Sequence, residues 1–156
     1  MMRGPPDEGF TLVELVTCIV IIGVLVAVTG PQFVSYQPFQ ERGYVDEIAA
    51  SLRFAQRIAI ATGCDVRFTE DAAGYKAMQR AAAGTTCSAA GPWTTIVSRA
   101  DGTALSGTPP SGVASSPAVQ IVFNSQGAIS SGVPPAISVG PFSLTIDVGS
   151  GLVIAH

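Results

Sequence analysis

The sequence predicts an α+β chain in which a long N-terminal helix packs on a small antiparallel β-sheet head. Three observations support this class. An apolar run opens the chain, an amphipathic stretch with helical spacing follows it, and the residues after Gly63 alternate with a period of two between turn-rich segments. We therefore divide the chain into a leading segment (1–9), an apolar helix (10–30), a helix that continues into the head (31–63) and a β-rich head (64–156).

Composition limits what the head can do. The chain has 156 residues, of which 47% are hydrophobic and only 12% charged, and its net charge is −3. This charge gives no general attraction for nucleic acid or anionic lipid, although it is compatible with a local basic patch. Three cysteines and one histidine, the terminal His156, leave little material for a metal site or for histidine-dependent catalysis. We expect no metal and no cofactor.

The apolar helix is predicted from Phe10–Thr29, a twenty-residue run whose only charged side chain is Glu14. At 1.5 Å per residue the run is about 30 Å long, which matches the hydrocarbon core of a bilayer. Gly30 and Pro31 then break the pattern, and no small-residue cleavage site closes it. The run is expected to span a membrane and to stay with the mature chain.

The second helical segment has a clear signal from Asp46 to Thr62, where apolar residues recur every three or four positions and Gly63 provides a stop. Pro38 and Gly43 leave the continuity of the helix before Asp46 open. Arg53 and Arg57 lie four residues apart, which fits either a basic binding patch or, more commonly, a solvated face.

The head is expected to contain one antiparallel sheet. A hairpin is predicted about the turn Asp71–Gly74, and further turns are predicted at Asn124–Gly127 and Gly149–Gly151. The strand candidates are 65–69, 75–78, 94–98, 119–123, 136–139, 142–148 and 152–155. Residues 102–117 are rich in Gly, Ser, Thr and Pro with few large apolar side chains, so we predict a mobile loop there.

The motif Gly9-Phe10-Thr11-Leu12-Val13-Glu14-Leu15 before the apolar run closely resembles the class III signal of type IV pilins and type II secretion pseudopilins. In that family a prepilin peptidase cuts after the glycine and methylates the new N-terminal amine. The resemblance implies that residues 1–9 are a prepilin leader, that cleavage separates Gly9 from Phe10, and that Phe10 is N-methylated. It also implies that Glu14 guides filament assembly, in which the free amine of a neighbouring subunit would supply the opposite charge; the alternative is that Glu14 snorkels to the membrane interface.

The later sequence is similar to the GspH/FimT branch of the pseudopilins. The similarity lies in the helix Asp46–Thr62, in Cys87 shortly before Trp93, in Val122–Gly127 and in a closing strand–Gly–strand hairpin. It implies a single-pass protein of the bacterial inner membrane with its head in the periplasm. The implied partners are other pseudopilin or pilin subunits, the prepilin peptidase, the inner membrane and secreted cargo.

Nucleic acid is not an expected partner. Some FimT-like proteins bind DNA through basic residues near the C-terminal end, but this chain has no arginine after Arg99. Within the two implied roles, the minor pseudopilin of a type II secretion system ranks first. A minor type IV pilin acting in pilus assembly, adhesion or DNA uptake ranks second.

The expected state of each cysteine follows from this topology. Cys18 lies inside the apolar run and is expected to behave as a small apolar residue. Cys64 and Cys87 fall in the head, in an oxidising compartment, so we expect a disulfide between them; two free thiols or a metal site are the alternatives.

Catalytic motifs are absent from the sequence. It contains no G-x-S-x-G elbow, and Gly149-Ser150-Gly151 lacks the remainder of a phosphate loop. Glu70 and Asp71 are adjacent carboxylates at a predicted turn, where solvated side chains are expected instead of an acid–base pair. We predict that the chain has no catalytic residues and is not an enzyme.

Overall fold

The computed structural model describes residues 11–29, 36–80, 82–83, 86–87, 90–132 and 136–156. The chain divides into two compact units, Met1–Tyr36 and Gln37–His156. The first contains helix α1 (Leu12–Thr29), and the second contains helix α2 (Gln37–Thr62) followed by β-strands. The predicted α+β class is confirmed.

Helix α1 begins directly after Thr11, and its large aliphatic side chains from Leu12 to Val26 are between 44% and 78% exposed. Among the described residues, no helix has both the length and the apolar character needed to cross a membrane. The predicted membrane span is therefore not confirmed. Its first residue, Phe10, and the predicted break at Gly30 and Pro31 lie outside the described residues.

Helix α2 begins at Gln37, nine residues before the clear helical signal at Asp46. Pro38 lies in the first turn, where its missing N–H has no intrahelical partner to lose, and Gly43 is accommodated inside the helix. The helix ends as predicted before Gly63, whose φ of 66° is the left-handed conformation that glycine adopts at helix ends.

The described strands, in chain order, are β1 (Val66–Asp71), β2 (Gly74–Arg80), β3 (Ala82–Ala83), β4 (Thr86–Cys87), β5 (Trp93–Ile96), β6 (Ser106–Gly107), β7 (Ser115–Ser116), β8 (Val119–Phe123), β9 (Ile129–Ser131), β10 (Ile137–Val139), β11 (Phe142–Ile146) and β12 (Val153–Ala155). The predicted hairpin is β1–β2, in register from Val66 opposite Gln79 to Asp71 opposite Gly74. The closing hairpin is β11–β12.

These strands form two main antiparallel sheets, so the expectation of a single sheet is wrong. The first sheet has the order β5-β2-β1-β8-β9, with β6 also paired to β2. The second has the order β12-β11-β10-β7, and β3–β4 is a separate ribbon. A 26-residue helix is about 39 Å long, which lets α2 pack against strands of both sheets.

The core lies between α2 and the two sheets. The buried face of α2 comprises Tyr44, Val45, Ile48, Ala49, Ser51, Leu52, Ala55 and Ala59. The first sheet contributes Val66, Phe68, Ile121 and Phe123, and the second contributes Ile137, Val139, Leu144 and Val153. The predicted helical stripe therefore does pack on strands, but on two layers of them.

Residues 102–117 are not the loosely packed loop that their composition predicts. They contain β6 and β7, and both Leu105 and Val113 are buried, at 1% and 6% exposure. The carbonyl of Leu105 accepts a hydrogen bond from the N–H of Ala77 at 3.0 Å, and its N–H donates to the carbonyl of Val97 at 2.7 Å. Two buried aliphatic side chains and these backbone hydrogen bonds attach the segment to the rest of the head.

Candidate functional site

Glu14 lies in the first turn of α1. Its backbone N–H donates to Oγ1 of Thr11 at 3.3 Å, and its carbonyl accepts from Oγ1 of Thr17 at 2.9 Å. The side chain is exposed and forms neither a hydrogen bond nor an ion pair within the described residues. A carboxylate at this place is favoured by the positive end of the helix dipole, and it is available to a cation from another molecule.

Thr11 is the N-cap of α1. The spacing Thr11-x-x-Glu14 is that of a capping box, so the sequence contains a signal that predicts this N-cap. Gly9 and Phe10, where cleavage and methylation are predicted, lie outside the described residues. The structure therefore gives no geometry for the bond between them, and both roles stay predictions.

A disulfide joins Cys64 to Cys87, with their Cα atoms 5.4 Å apart, so the predicted pairing is confirmed. Cys64 lies two residues after the end of α2 and Cys87 lies in β4, so the bond ties the β3–β4 ribbon to the helix terminus. Cys18 is a free, exposed thiol on α1.

Glu70 is buried, with 1% exposure, which makes the prediction of a solvated side chain wrong for this residue. Its Oε1 accepts a hydrogen bond from the Ser115 hydroxyl, whereas Oε2 has no partner among the described residues. Burial raises the pKa of the Glu70 carboxyl, an effect that the Ser115 hydrogen bond partly opposes and that Asp71 reinforces. Asp71 itself is exposed at the hairpin turn, as predicted.

Tyr44 and Tyr75 complete this polar region of the core. Burial raises the pKa of Tyr44 to about 12, and the nearby Glu70 carboxylate adds to the effect. The hydroxyl of Tyr75 donates to Oε1 of Glu47 at 2.6 Å and accepts from Nη2 of Arg99 at 3.4 Å. These contacts join α2, the β1–β2 hairpin and the segment after β5. Because Tyr44, Glu70 and Tyr75 are at most 2% exposed, they are positioned to hold the head together, out of reach of a dissolved substrate.

Arg53 and Arg57 are both exposed on α2, but they differ in their contacts. Nη2 of Arg53 donates to the carbonyl of Val153 at 3.0 Å and so links α2 to β12. Arg57 is exposed on the helix surface. The described residues contain no group of three or more His, Cys, Asp or Glu side chains that would hold a metal ion.

Comparison with known proteins assigns the two parts of the chain separately. The sequence profile described as Prokaryotic N-terminal methylation motif matches residues 6–30, which include Gly9, Phe10 and Glu14. The profile described as Type II transport protein GspH matches residues 44–153, which span most of α2 and almost all of the strands.

One curated relative is the Type IV narrow pilus major component PilA5 of Thermus thermophilus. It is 48% identical over 52 residues, which are 33% of this chain and 45% of the relative. The chain thus matches slightly less than half of that relative's length. No solved structure gives a significant match.

The GspH profile covers well over half of the chain, and the methylation motif precedes it in the sequence, as α1 precedes the head. The chain therefore belongs to the family described as Type II transport protein GspH, and it is a type IV pilin-like pseudopilin.

Proposed function

We propose that the chain is a minor pseudopilin of a type II protein secretion system. Prepilin peptidase removes residues 1–9 and the new amine of Phe10 is methylated. Residues 10–29 anchor the protein in the bacterial inner membrane with the head in the periplasm, until the subunit enters a pseudopilus. The observation that carries this proposal is the GspH match over residues 44–153 on a chain whose residues 6–30 match the methylation motif.

The geometry of α1 supports assembly through this helix. Its large aliphatic side chains from Leu12 to Val26 are exposed, and an apolar surface of this extent requires a cover of lipid or of neighbouring helices. Glu14 is the one charged residue of α1, and its carboxylate has no partner within the described residues. In the proposed filament it pairs with the Phe10 amine of an adjacent subunit, because a charge in an apolar helix bundle requires a partner.

The head acts by binding other subunits or secreted cargo, and we include in the proposal that it performs no catalysis. The buried Glu70 and the Tyr75–Glu47–Arg99 contacts join structural elements to one another. The surfaces of the head are then the parts that contact partners.

Processing is tested by co-expressing the full chain with a prepilin peptidase and identifying the N-terminal peptide by mass spectrometry. We expect the mature chain to start at Phe10 and to carry one additional methyl group. The variant Gly9→Val is the control and is expected to stay uncut. A wild-type chain that keeps residues 1–9 while the same peptidase cuts a known prepilin contradicts the proposal.

Assembly is tested with Glu14→Gln, which removes the charge and keeps the size of the side chain. We expect this variant to be cut at Gly9 and to fail to cross-link with other pseudopilins in membranes. The matched control Thr17→Ala alters a neighbouring polar residue of α1 and is expected to cross-link normally. Normal cross-linking of Glu14→Gln would refute the role given to Glu14.

A minor type IV pilin is the second candidate, because the similar PilA5 protein is described as a type IV pilus component. Deletion of the gene in its own bacterium separates the two. Loss of secreted proteins with surface pili intact supports the secretion system. Loss of pili with secretion intact supports the type IV pilus.

A further inference from the structure

The outer face of the first sheet, on the side opposite α2, carries a cluster of cationic, aromatic and apolar side chains. Side chains alternate between the two faces of a strand. Since Val66, Phe68, Tyr75 and Ala77 are buried in the core, the intervening residues of β1 and β2 lie on the other face. We call this cluster the Trp93 face; it comprises Arg67, Lys76, Met78, Arg80, Trp93 and Ile96.

Two guanidinium groups converge on Trp93. The Cζ atom of Arg67 lies 5.0 Å from the centroid of the Trp93 ring, and that of Arg80 lies 4.3 Å from it. The two charges are therefore held within about 9 Å of each other. Arg80 is further fixed by a 2.7 Å hydrogen bond from Nη1 to the carbonyl of Gly91. The aromatic ring stabilises both cations without neutralising them.

None of the described carboxylates forms a salt bridge with these cations. Within the part of the chain that the structure describes, the salt bridge found joins Arg42 to Asp46 on α2, and none involves Arg67, Lys76 or Arg80. Nη1 of Arg67 and Nη2 of Arg80 also make no hydrogen bond to described residues. Two arginines and a lysine are thus concentrated on adjacent strands of a chain whose net charge is −3. Such a cluster is complementary to an anionic ligand.

The form of the cluster favours a short acidic polypeptide over a long polyanion. A protein of net negative charge repels a nucleic acid at long range, whereas individual carboxylates still gain charge-assisted hydrogen bonds from arginine on contact. The two guanidinium groups lie at most about 9 Å apart, a limit that includes the spacing of about 6.7 Å between alternate residues on one face of an extended strand. Met78 and the half-exposed Ile96 lie in register beside them and offer apolar contact for the stems of the acidic side chains.

We propose that the Trp93 face binds an extended segment of another protein chain that carries Asp or Glu at alternate positions. The printed sequence has no two acidic residues separated by one residue, so a second copy of this chain does not supply the segment. The proposal goes beyond the assembly of α1 into a filament, because it gives the head its own contact with a partner of different sequence.

Trp93 is the one tryptophan of the sequence, so its fluorescence reports this face directly. The test uses the full chain in mild detergent and a synthetic peptide in which four glutamates alternate with threonine. We expect the peptide to change the Trp93 emission in a saturable way. A peptide with glutamine in place of glutamate is expected to bind at least about tenfold more weakly, because it lacks the charge-assisted hydrogen bonds.

Variants identify the residues involved. Arg67→Gln and Arg80→Gln are each expected to weaken binding at least about tenfold, while Arg57→Gln, an exposed arginine on α2, is expected to leave it unchanged. Arg80→Lys keeps the charge and is expected to bind between wild type and Arg80→Gln. Each variant is checked for folding by circular dichroism, and the peptide titration of the wild-type chain is decisive even where a variant does not fold.

Three results would overturn the proposal. The first is an unchanged Trp93 emission with the glutamate peptide. The second is equal binding of the glutamate and glutamine peptides. The third is tighter binding of a short DNA duplex, with a steep salt dependence, which would assign the face to nucleic acid. Because Glu14→Gln is expected to bind the peptide normally, a failure here is distinct from a failure of the proposed filament assembly.

Discussion

The side-chain amide of Gln56 connects α2 to one turn of each main sheet. Its Nε2 donates to the carbonyl of Gly127 at 2.9 Å, in the turn after β8, and to the carbonyl of Ser150 at 2.8 Å, in the turn between β11 and β12. Gln56→Ala removes both bonds. Since a neutral hydrogen bond contributes about 1 kcal/mol net and alanine regains a few tenths of that through helix propensity, we expect the free energy of unfolding to fall by about 1.5 to 2 kcal/mol.

A second variant tests the geometry of the same junction. Gly151 has a φ of 66°, and a Cβ atom placed there would meet the carbonyl oxygen of Gly127 and Nε2 of Gln56. Gly151→Ala is therefore expected to destabilise the head by at least about 1 kcal/mol through backbone strain, and further by displacing the amide. In the double variant the amide is already absent. The free energy of unfolding should therefore fall by less in the double variant than the sum of the decreases in the two single variants.

The measurement is urea unfolding of the full chain in mild detergent, followed by the emission of Trp93. Arg57→Ala is the matched control, because Arg57 is the exposed neighbour of Gln56 on α2 and is expected to change the free energy by less than about 0.5 kcal/mol. A Gln56→Ala variant as stable as this control would refute the reasoning. Additive effects of Gln56→Ala and Gly151→Ala would refute the claim that both act through the same amide.

Three further predictions use the same unfolding assay. Burial raises the pKa of Glu70, so the stability that its neutral form provides is present at low pH and is lost as pH rises through the folded-state pKa. The stability of Glu70→Gln should therefore rise relative to wild type as pH increases above about 4, by at most about 1.4 kcal/mol per pH unit. A difference between the two proteins that stays constant with pH would contradict this. Replacing Cys64 and Cys87 by serine should lower the free energy of unfolding by about 3 kcal/mol, and reduction of the wild-type disulfide should have the same effect. An unchanged midpoint of urea unfolding would refute the stabilising role of the disulfide. Leu105→Ala should lower the free energy of unfolding by about 2 to 5 kcal/mol. The control Leu152→Ala, at a side chain that is 56% exposed, should change it by less than about 0.5 kcal/mol. Equal effects of the two variants would show that residues 102–117 do not pack as described.

The elements with strong local signals were predictable from the sequence. Gly63 ends α2 because glycine adopts the left-handed conformation required there, and Asp71–Gly74 forms the predicted hairpin turn. Cys64 and Cys87 form the predicted disulfide. In each case a few neighbouring residues, or the chemistry of one residue type, determine the outcome.

At Glu70 two sequence signals disagree: the residue type predicts a solvated side chain, whereas the alternation along β1 predicts a buried one. Val66 and Phe68 set a period of two that continues to Glu70 and places it on the buried face of β1. A carboxylate beside a turn is ordinarily solvated, and this rule predicts exposure where the alternation predicts burial. The partner that permits its burial, Ser115, lies 45 residues away in the segment predicted to be mobile. The burial of this acid therefore depends on a distant contact, which no local pattern in the sequence indicates.

The edge of β2 explains why the composition of residues 102–117 was misleading. Strand β5 pairs with β2 only at Met78–Arg80, so the backbone groups of Tyr75 and Lys76 on the same edge have no partner on β5. Unpaired backbone groups next to a buried core are unfavourable, and β6 returns to pair with them, at Ser106 and Gly107. This return also places Leu105 in the core. The segment is therefore ordered by hydrogen bonds to the backbone of a strand about thirty residues earlier in the chain. Because backbone groups make these bonds, the small and polar side chains of the segment do not oppose the pairing.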